Sequence, residues 1–189
     1  MGKIVFKKTE RYSLFLDRDG VINTRFVGAY VKNYKEFEFI EGVPEAIRLL
    51  NQYFKPVVVV SNQQGVGKGI MSMEELNVLH DKMLNDLEAR GAHIDKVYAC
   101  TALRKEGHFD RKPSVGMGLK AKRDFSEIEF KKSVMVGDSY TDMEFGKRLG
   151  MTTVLISAEP HMARNFPKMI DFCFDNLLNF AIWFENQLS

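Results

Sequence analysis

Cysteine is scarce in this chain: Cys100 and Cys173 are the only two among 189 residues, and they form no close pair. That excludes a disulfide framework and a Cys-x-x-Cys redox site, and it fits a reducing compartment. An excess of one charge is missing too, since 27 Lys and Arg face 25 Asp and Glu, and no basic block alternates with aromatics. A nucleic-acid groove is therefore not expected. Long apolar runs are absent. The stretch Phe180-Ala181-Ile182-Trp183-Phe184 is too short to span a bilayer and is expected to pack on the core. The first residues show neither a signal-like apolar stretch nor a small-residue cleavage site. Gly2 hints at myristoylation, but Phe6 stands where that signal needs Ser or Thr. A cytoplasmic protein without a membrane partner is the expectation. Repeats, low-complexity tracts and linkers are also lacking, so one domain over residues 1–189 is expected.

What is present is an alternation of strand-like and helix-like stretches, the pattern of an α/β domain with a mainly parallel sheet. Ser13–Leu16 and the run Val57-Val58-Val59-Val60 read as strands buried on both faces. Between them lie a polar loop with Gly28 and a helix from Pro44 to Phe54, with proline in the first turn. Ser72 and Glu75 form a capping box ahead of Leu76, Leu79, Met83 and Leu87, and Gly91 stops that helix. Val97–Cys100, Val134–Val136, Thr153–Ile156 and an edge segment Phe172–Phe174 are further strands. Helices are expected over Met117–Arg123 and up to Gly150, and Asp175 is the expected cap of a last helix carrying Leu178 and Ile182.

Four carboxylates dominate the chemistry. Asp17 and Asp19 follow the Ser13–Leu16 strand directly, and Asp138 and Asp142 follow the strand ending at Val136. Ligands of open α/β sheets bind at the C-terminal strand ends, so one crevice can collect all four. Clustered carboxylates repel unless a cation joins them or some stay protonated, and all-oxygen ligation points to Mg²⁺. A metal-paired Asp17 can attack phosphorus as a carboxylate nucleophile. Asp19, two residues on, can protonate the leaving oxygen and then deprotonate water.

Ser61-Asn62-Gln63-Gln64-Gly65 follows the valine run, again at a sheet end, and offers hydroxyl, amide and turn N–H donors to an oxyanion. The neighbouring Gly65-Val66-Gly67-Lys68-Gly69 is not a nucleotide P-loop: Asn62 stands at the first glycine position, and Gly69 follows the lysine where Ser or Thr is required. A turn is expected there instead. Lys112, in Arg111-Lys112-Pro113, can neutralise charge on a transferring phosphoryl group. His80, His93 and His161 show no metal-ligand spacing and read as surface or packing residues.

These pieces, in this order, resemble the haloacid dehalogenase superfamily of phosphatases. The resemblance runs from Asp17-Arg18-Asp19-Gly20-Val21-Ile22-Asn23 through Ser61-Asn62-Gln63 and Arg111-Lys112-Pro113 to Gly137-Asp138-Ser139-Tyr140-Thr141-Asp142-Met143. It implies a three-layer α/β/α Rossmann-like core, with Asp17 as nucleophile, Asp19 as acid and base, and Ser61 and Lys112 as phosphoryl stabilisers. It also implies Mg²⁺ held by the Asp17 and Asp138 side chains and the Asp19 carbonyl. Asp142 would orient either a metal-bound water or Lys112.

Within that superfamily the details are similar to the group of D-glycero-D-manno-heptose-1,7-bisphosphate 7-phosphatases, with histidinol-phosphate phosphatases as close relatives. Phe37-Glu38-Phe39-Ile40-Glu41-Gly42-Val43 and Gly116-Met117 extend the shared signatures. The resemblance implies a small sugar bisphosphate as substrate, contacted by Asn62, Gln63, Arg111 and Tyr30, with Tyr30 favoured over Arg25. Histidinol phosphate, another sugar or polyol phosphate, and a non-catalytic ligand-binding role are the alternatives.

The chain departs from this group at two places. Cys100, Ala102, His108 and Asp110 stand where relatives carry a four-residue Cys/His zinc site, so structural zinc is not expected. Ser139 stands where a lysine is frequent. The intervals Asn23–Pro56 and Asn62–Asp110 leave no room for a substantial lid domain beyond the elements assigned, and the resemblance implies a capless member whose cleft would be shaped by loops such as Thr24–Lys35 and Thr101–Asp110.

Overall fold

The computed structural model describes residues 6–7, 10–26, 30–158 and 166–188; Gly2, Gly28 and His161 lie outside them. Six parallel strands form one sheet in the order β3-β2-β1-β4-β5-β6. They are β1 (Tyr12–Leu16), β2 (Phe54–Asn62), β3 (Lys96–Cys100), β4 (Ser133–Gly137), β5 (Thr152–Ile156) and β6 (Phe172–Phe174). Alternate residues of the central strands enter two different cores, as strands buried on both faces require. Leu14, Leu16, Val57, Val59, Val134 and Val136 pack with α1 (Val43–Leu50), α3 (Met73–Glu88) and the last helix (Leu177–Leu188). Phe15, Val58, Val60 and Met135 pack on the other face against α4 (Gly116–Asp124) and α5 (Tyr140–Leu149). The result is the three-layer α/β/α arrangement that the resemblance implies.

β1 lies between β2 and β4, so the chain leaves it toward one edge and returns on its other side. That is a topological switch point, where the loops after adjacent strands diverge and leave a crevice. The register brings Leu16 beside both Val59 and Val136, which sets the residues following β1 and β4 next to one another.

Several boundaries differ from expectation. The first helix ends at Leu50 rather than Phe54, because Phe54 already pairs with Tyr12 in the sheet. Asn51 closes that end by bonding the His93 backbone in both directions, at 2.9 and 2.8 Å. The last helix is capped by Asn176, not Asp175: Asn176 Oδ1 accepts from the Asn179 N–H at 2.8 Å. The Gly65–Gly69 stretch overlaps a one-turn helix, α2 (Gln64–Gly67). The capping box of α3 forms as expected, with Ser72 Oγ 3.0 Å from the Glu75 N–H and Glu75 Oε2 2.7 Å from the Ser72 N–H. Among the described residues, β1 and α1 are separated only by loops and isolated bridges, and β2 and β3 only by α2 and α3. No described helix is long and apolar enough to cross a membrane.

Candidate active site

Asp17 directly follows the buried β1, and its N–H donates to the Val136 carbonyl at 2.9 Å, extending the β1–β4 ladder one step. The chain then turns back tightly, with the Ile22 and Asn23 N–H groups both donating to the Arg18 carbonyl. Gly20 takes φ +88, and a Cβ there would sit 2.2 Å from Asp138 Oδ2. Only glycine lets the loop press this closely on the acid that follows β4. Gly137 has the same function under α5, where an added Cβ would meet the Asp142 side chain at 2.2 Å.

Lys112 is the centre of the arrangement and is 2% exposed. Its ammonium lies 2.9 Å from Asp17 Oδ1, 2.6 Å from Asp142 Oδ1 and 2.6 Å from the Val60 carbonyl. Three donors thus meet three acceptors, one just past β1, one in the first turn of α5 and one in β2. Burial alone would discharge this lysine, but Asp142 and Asp17 outweigh burial and hold its pKa above the ordinary value. Asp142 is in direct contact with Lys112, and it also accepts from the Ser139 N–H and hydroxyl at the start of α5. Asn62 holds the lysine's backbone, its Oδ1 accepting from the Lys112 N–H at 3.0 Å and its Nδ2 donating to the Lys112 carbonyl at 3.1 Å.

Asp17, Asp138 and Asp142 each bring a carboxylate oxygen within 4.8 Å of the other two. Burial and the Asp142 charge, opposed by Lys112, push Asp17 up to about 8. Burial and Asp142 also raise Asp138, against the pull of Arg25, whose Nη1 sits 2.8 Å from Asp138 Oδ2. Asp138 Oδ1 is buried with no hydrogen-bond donor among the described residues. An all-oxygen set in which Asp17 and Asp138 are raised, with an orphaned buried oxygen on Asp138, suits a hard divalent cation, which would favour the ionised forms of those two acids. The site therefore fits Mg²⁺.

Asp19 faces another way. Arg18 Nη2 reaches both its oxygens at 2.9 and 3.0 Å, Asn23 Nδ2 lies at 3.0 Å and Gln63 Nε2 at 2.8 Å. Burial would raise Asp19, but Arg18 and these hydrogen bonds outweigh it and lower its pKa. Gln63 also donates to Ser61 Oγ at 2.7 Å. Arg18 is itself almost fully buried, and its Nη1 meets His80 Nε2 at 3.1 Å. Burial and the Arg18 charge depress His80 to about 3, so its ring is neutral. This Arg18–His80 pair escaped the sequence reading, which took His80 only for a surface or packing residue.

The site opens on one cleft of about 1320 Å³. Asp17, Asp19, Ser61, Asn62, Gln63, Lys112, Asp138 and Asp142 line it, together with Tyr30 and Arg111. Tyr30 hydroxyl accepts from Gln64 Nε2 at 3.0 Å, and Arg111 Nη1 donates to the Ala102 carbonyl at 3.1 Å. Three further cations, Arg25, Lys68 and Arg104, line the cleft; of these the sequence reading weighed Arg25 as a substrate contact, Lys68 only within the rejected P-loop, and Arg104 not at all. The Cys100–Asp110 region lies beside it. Cys100 Sγ is 4.0 Å from His108 Nδ1, while Asp110 Oδ2 is 2.5 Å from the Lys120 ammonium.

The comparisons with known proteins agree with this geometry. A HAD-hydrolase-like family model matches residues 109–179. A D-glycero-alpha-D-manno-heptose-1,7-bisphosphate 7-phosphatase of Mycobacterium bovis is 35% identical over 172 residues, 91% of this chain and 90% of that protein. A phosphatase of the same name from Campylobacter jejuni is 33% identical over 175 residues, covering 93% and 96% respectively. Among solved structures, a D,D-heptose 1,7-bisphosphate phosphatase from B. bronchiseptica, complexed with magnesium and phosphate, superposes with a TM-score of 0.81 at 27% identity. It covers 93% of this chain and 99% of its own.

Proposed function

This chain belongs to the HAD-like hydrolase family and is a phosphatase, and from that premise we propose that it hydrolyses D-glycero-D-manno-heptose 1,7-bisphosphate at the 7-phosphate. The observation that carries the chemical reading is the buried Lys112 ammonium bridging Asp17 and Asp142 in the lining of the cleft. That contact fixes the Asp17 carboxylate and puts a full positive charge beside it.

In this reading the 7-phosphate enters over Asp17. A carboxylate oxygen of Asp17 forms a bond to phosphorus as the bond to the sugar C7 oxygen breaks, leaving an aspartyl-phosphate. To act as acid, Asp19 takes up a proton as substrate binds, against the Arg18 contact that lowers its pKa in the free site; it gives that proton to the departing alkoxide, then takes one from the water that attacks the acyl phosphate. The Lys112 ammonium, together with Ser61, offsets charge on the phosphoryl oxygens through both steps. Asp17, Asp138 and the Asp19 carbonyl would hold Mg²⁺, which supplies charge neutralisation and a template for the phosphate when bound. Asn62 keeps Lys112 in place through its backbone, a positioning role added to any contact with substrate.

The relatives' names supply the sugar, and the cations lining the cleft suit a second phosphate. Arg111 is planar and permanently charged, and Arg104 and Lys68 border the same space. The test is phosphate release from a panel: both anomers of heptose bisphosphate, fructose bisphosphate and histidinol phosphate. The reading expects kcat/KM for a heptose bisphosphate to exceed the others by at least about tenfold, within the range that added polar contacts provide. Arg111→Ala should penalise a bisphosphate more than a monophosphate. A preference for histidinol phosphate would overturn the substrate assignment and leave the chemistry standing.

A further inference from the structure

Arg18 sits between the proposed nucleophile and the proposed acid and borders the cleft, yet its side chain is almost wholly shut off from solvent. It is 1% exposed, a state arginine reaches only when its donors are matched. Its Nε donates to Asp19 Oδ1 at 3.3 Å, and its Nη2 grips both Asp19 oxygens. Nη1 points the other way and meets His80 Nε2 at 3.1 Å. A guanidinium has donors only, so Nε2 must be the acceptor and the histidine proton must sit on Nδ1. His80 lies on the buried face of α3, between the core residues Leu76, Leu79 and Met83. The helix thus holds one end of the guanidinium while the other end holds the carboxylate.

We infer that Arg18 and His80 are positioning residues: His80, from α3, fixes the Arg18 guanidinium, which in turn aims the Asp19 carboxylate at the leaving oxygen. The inference rests on the reading of Asp19 as the proton donor. Asp19 retains 27% side-chain exposure toward the cleft, so it is held without being sealed off. Asn23 and Gln63 contact one oxygen each, whereas Arg18 alone reaches both and sets the plane of the carboxylate. Truncating His80 leaves Nη1 buried without an acceptor and frees the guanidinium to turn.

A purely structural pin would lower activity on every substrate alike. A positioning role for the proton donor depends on the leaving group. An alkoxide needs a proton as its bond to phosphorus breaks; p-nitrophenolate is already a stable anion at neutral pH and needs none. The experiment compares kcat/KM, which reports the first phosphoryl transfer, for an alkyl sugar phosphate and p-nitrophenyl phosphate in excess Mg²⁺. His80→Leu should lose about tenfold or more on the alkyl ester and less than about threefold on the aryl ester, a fraction of the ~10²–10⁴ that proton transfer contributes. His80→Gln, whose Oε1 can accept from Nη1, should recover most of the loss. Arg18→Lys keeps the charge but not the fork and should show the same split, which covers the case in which His80→Leu does not fold. Asp19→Asn is the control and should show the split at full size. If Asp19→Asn shows it while the His80 and Arg18 variants lose equally on both esters, or lose nothing, the inference is overturned. If Asp19→Asn shows no split, the reading of Asp19 itself fails.

Discussion

Replacing Lys112 with methionine keeps the volume of the side chain and removes its charge, so the loss can be assigned to electrostatics. The ammonium is buried and touches Asp17, Asp142 and the Val60 carbonyl at 2.9, 2.6 and 2.6 Å. Without it, two buried carboxylates face each other with no cation between them. Removing one partner of a buried ion pair typically destabilises by about 3–5 kcal/mol, because the remaining charge is stranded. Here that charge is shared by two acids, and protonation of one relieves part of the repulsion, so we expect about 3 kcal/mol at neutral pH in chelator. With a urea m-value of roughly 2–3 kcal/mol/M, the midpoint should fall by about 1 M or slightly more. The single tryptophan, Trp183, packs between Phe172 and Phe174 beneath the sheet edge and reports the transition by fluorescence. Lys112→Met/Asp142→Asn removes one of the stranded charges and should recover at least half of the loss. A single variant within about 1 kcal/mol of the parent, at unchanged m, would refute the view that Lys112 neutralises this acid cluster.

Two further outcomes follow from the same electrostatics. Mg²⁺ at a hundred times its Kd should raise unfolding stability by about 2.7 kcal/mol, and chelator should stop turnover. Asp138→Asn should abolish the shift, and a shift that survives it would place the metal elsewhere. His80 titrates near 6.5 when unfolded and at about 3 in the fold, so the unfolded chain binds a proton that the folded chain refuses. Stability from this group is fully present above pH 6.5 and falls as pH drops toward 3, by about 2 kcal/mol between pH 7 and pH 5. Urea midpoints of His80→Gln across that window should lack this part of the slope; an unchanged slope would show that His80 is not held neutral.

Much of the fold is written locally. The valine run of β2 and the apolar ends of β1 and β4 are β-branched or bulky segments bounded by polar loops, and each forms the strand expected. The Ser72–Glu75 box marks the start of α3 to the residue. Boundaries shift where a partner distant in sequence decides them: Phe54 is drawn into the sheet by Tyr12, and Asn176 rather than Asp175 finds the free N–H of the last helix. The four acids were legible because each pair follows an apolar run, and strand-end chemistry is a property of the topology. Arg18 was not. In Asp17-Arg18-Asp19 it has the sequence signature of an exposed cation, and only the tight turn and α3 together bury it against His80. Asn62 and Gln63 were legible as polar groups at a sheet end, but not as the groups that hold Lys112 and Asp19. Those contacts span 44 to 50 positions and leave no periodic trace.

The central claim is that Asp17 carries the phosphoryl group between substrate and water. Acid-quenching the enzyme during turnover of heptose bisphosphate with Mg²⁺, then digesting it and analysing the peptides by mass spectrometry, tests this directly. The account predicts a phosphoryl adduct on the peptide containing Asp17, absent from Asp17→Asn, which should release no phosphate while staying folded. Phosphate release by Asp17→Asn at the parent rate, or an adduct on any other residue, would contradict it.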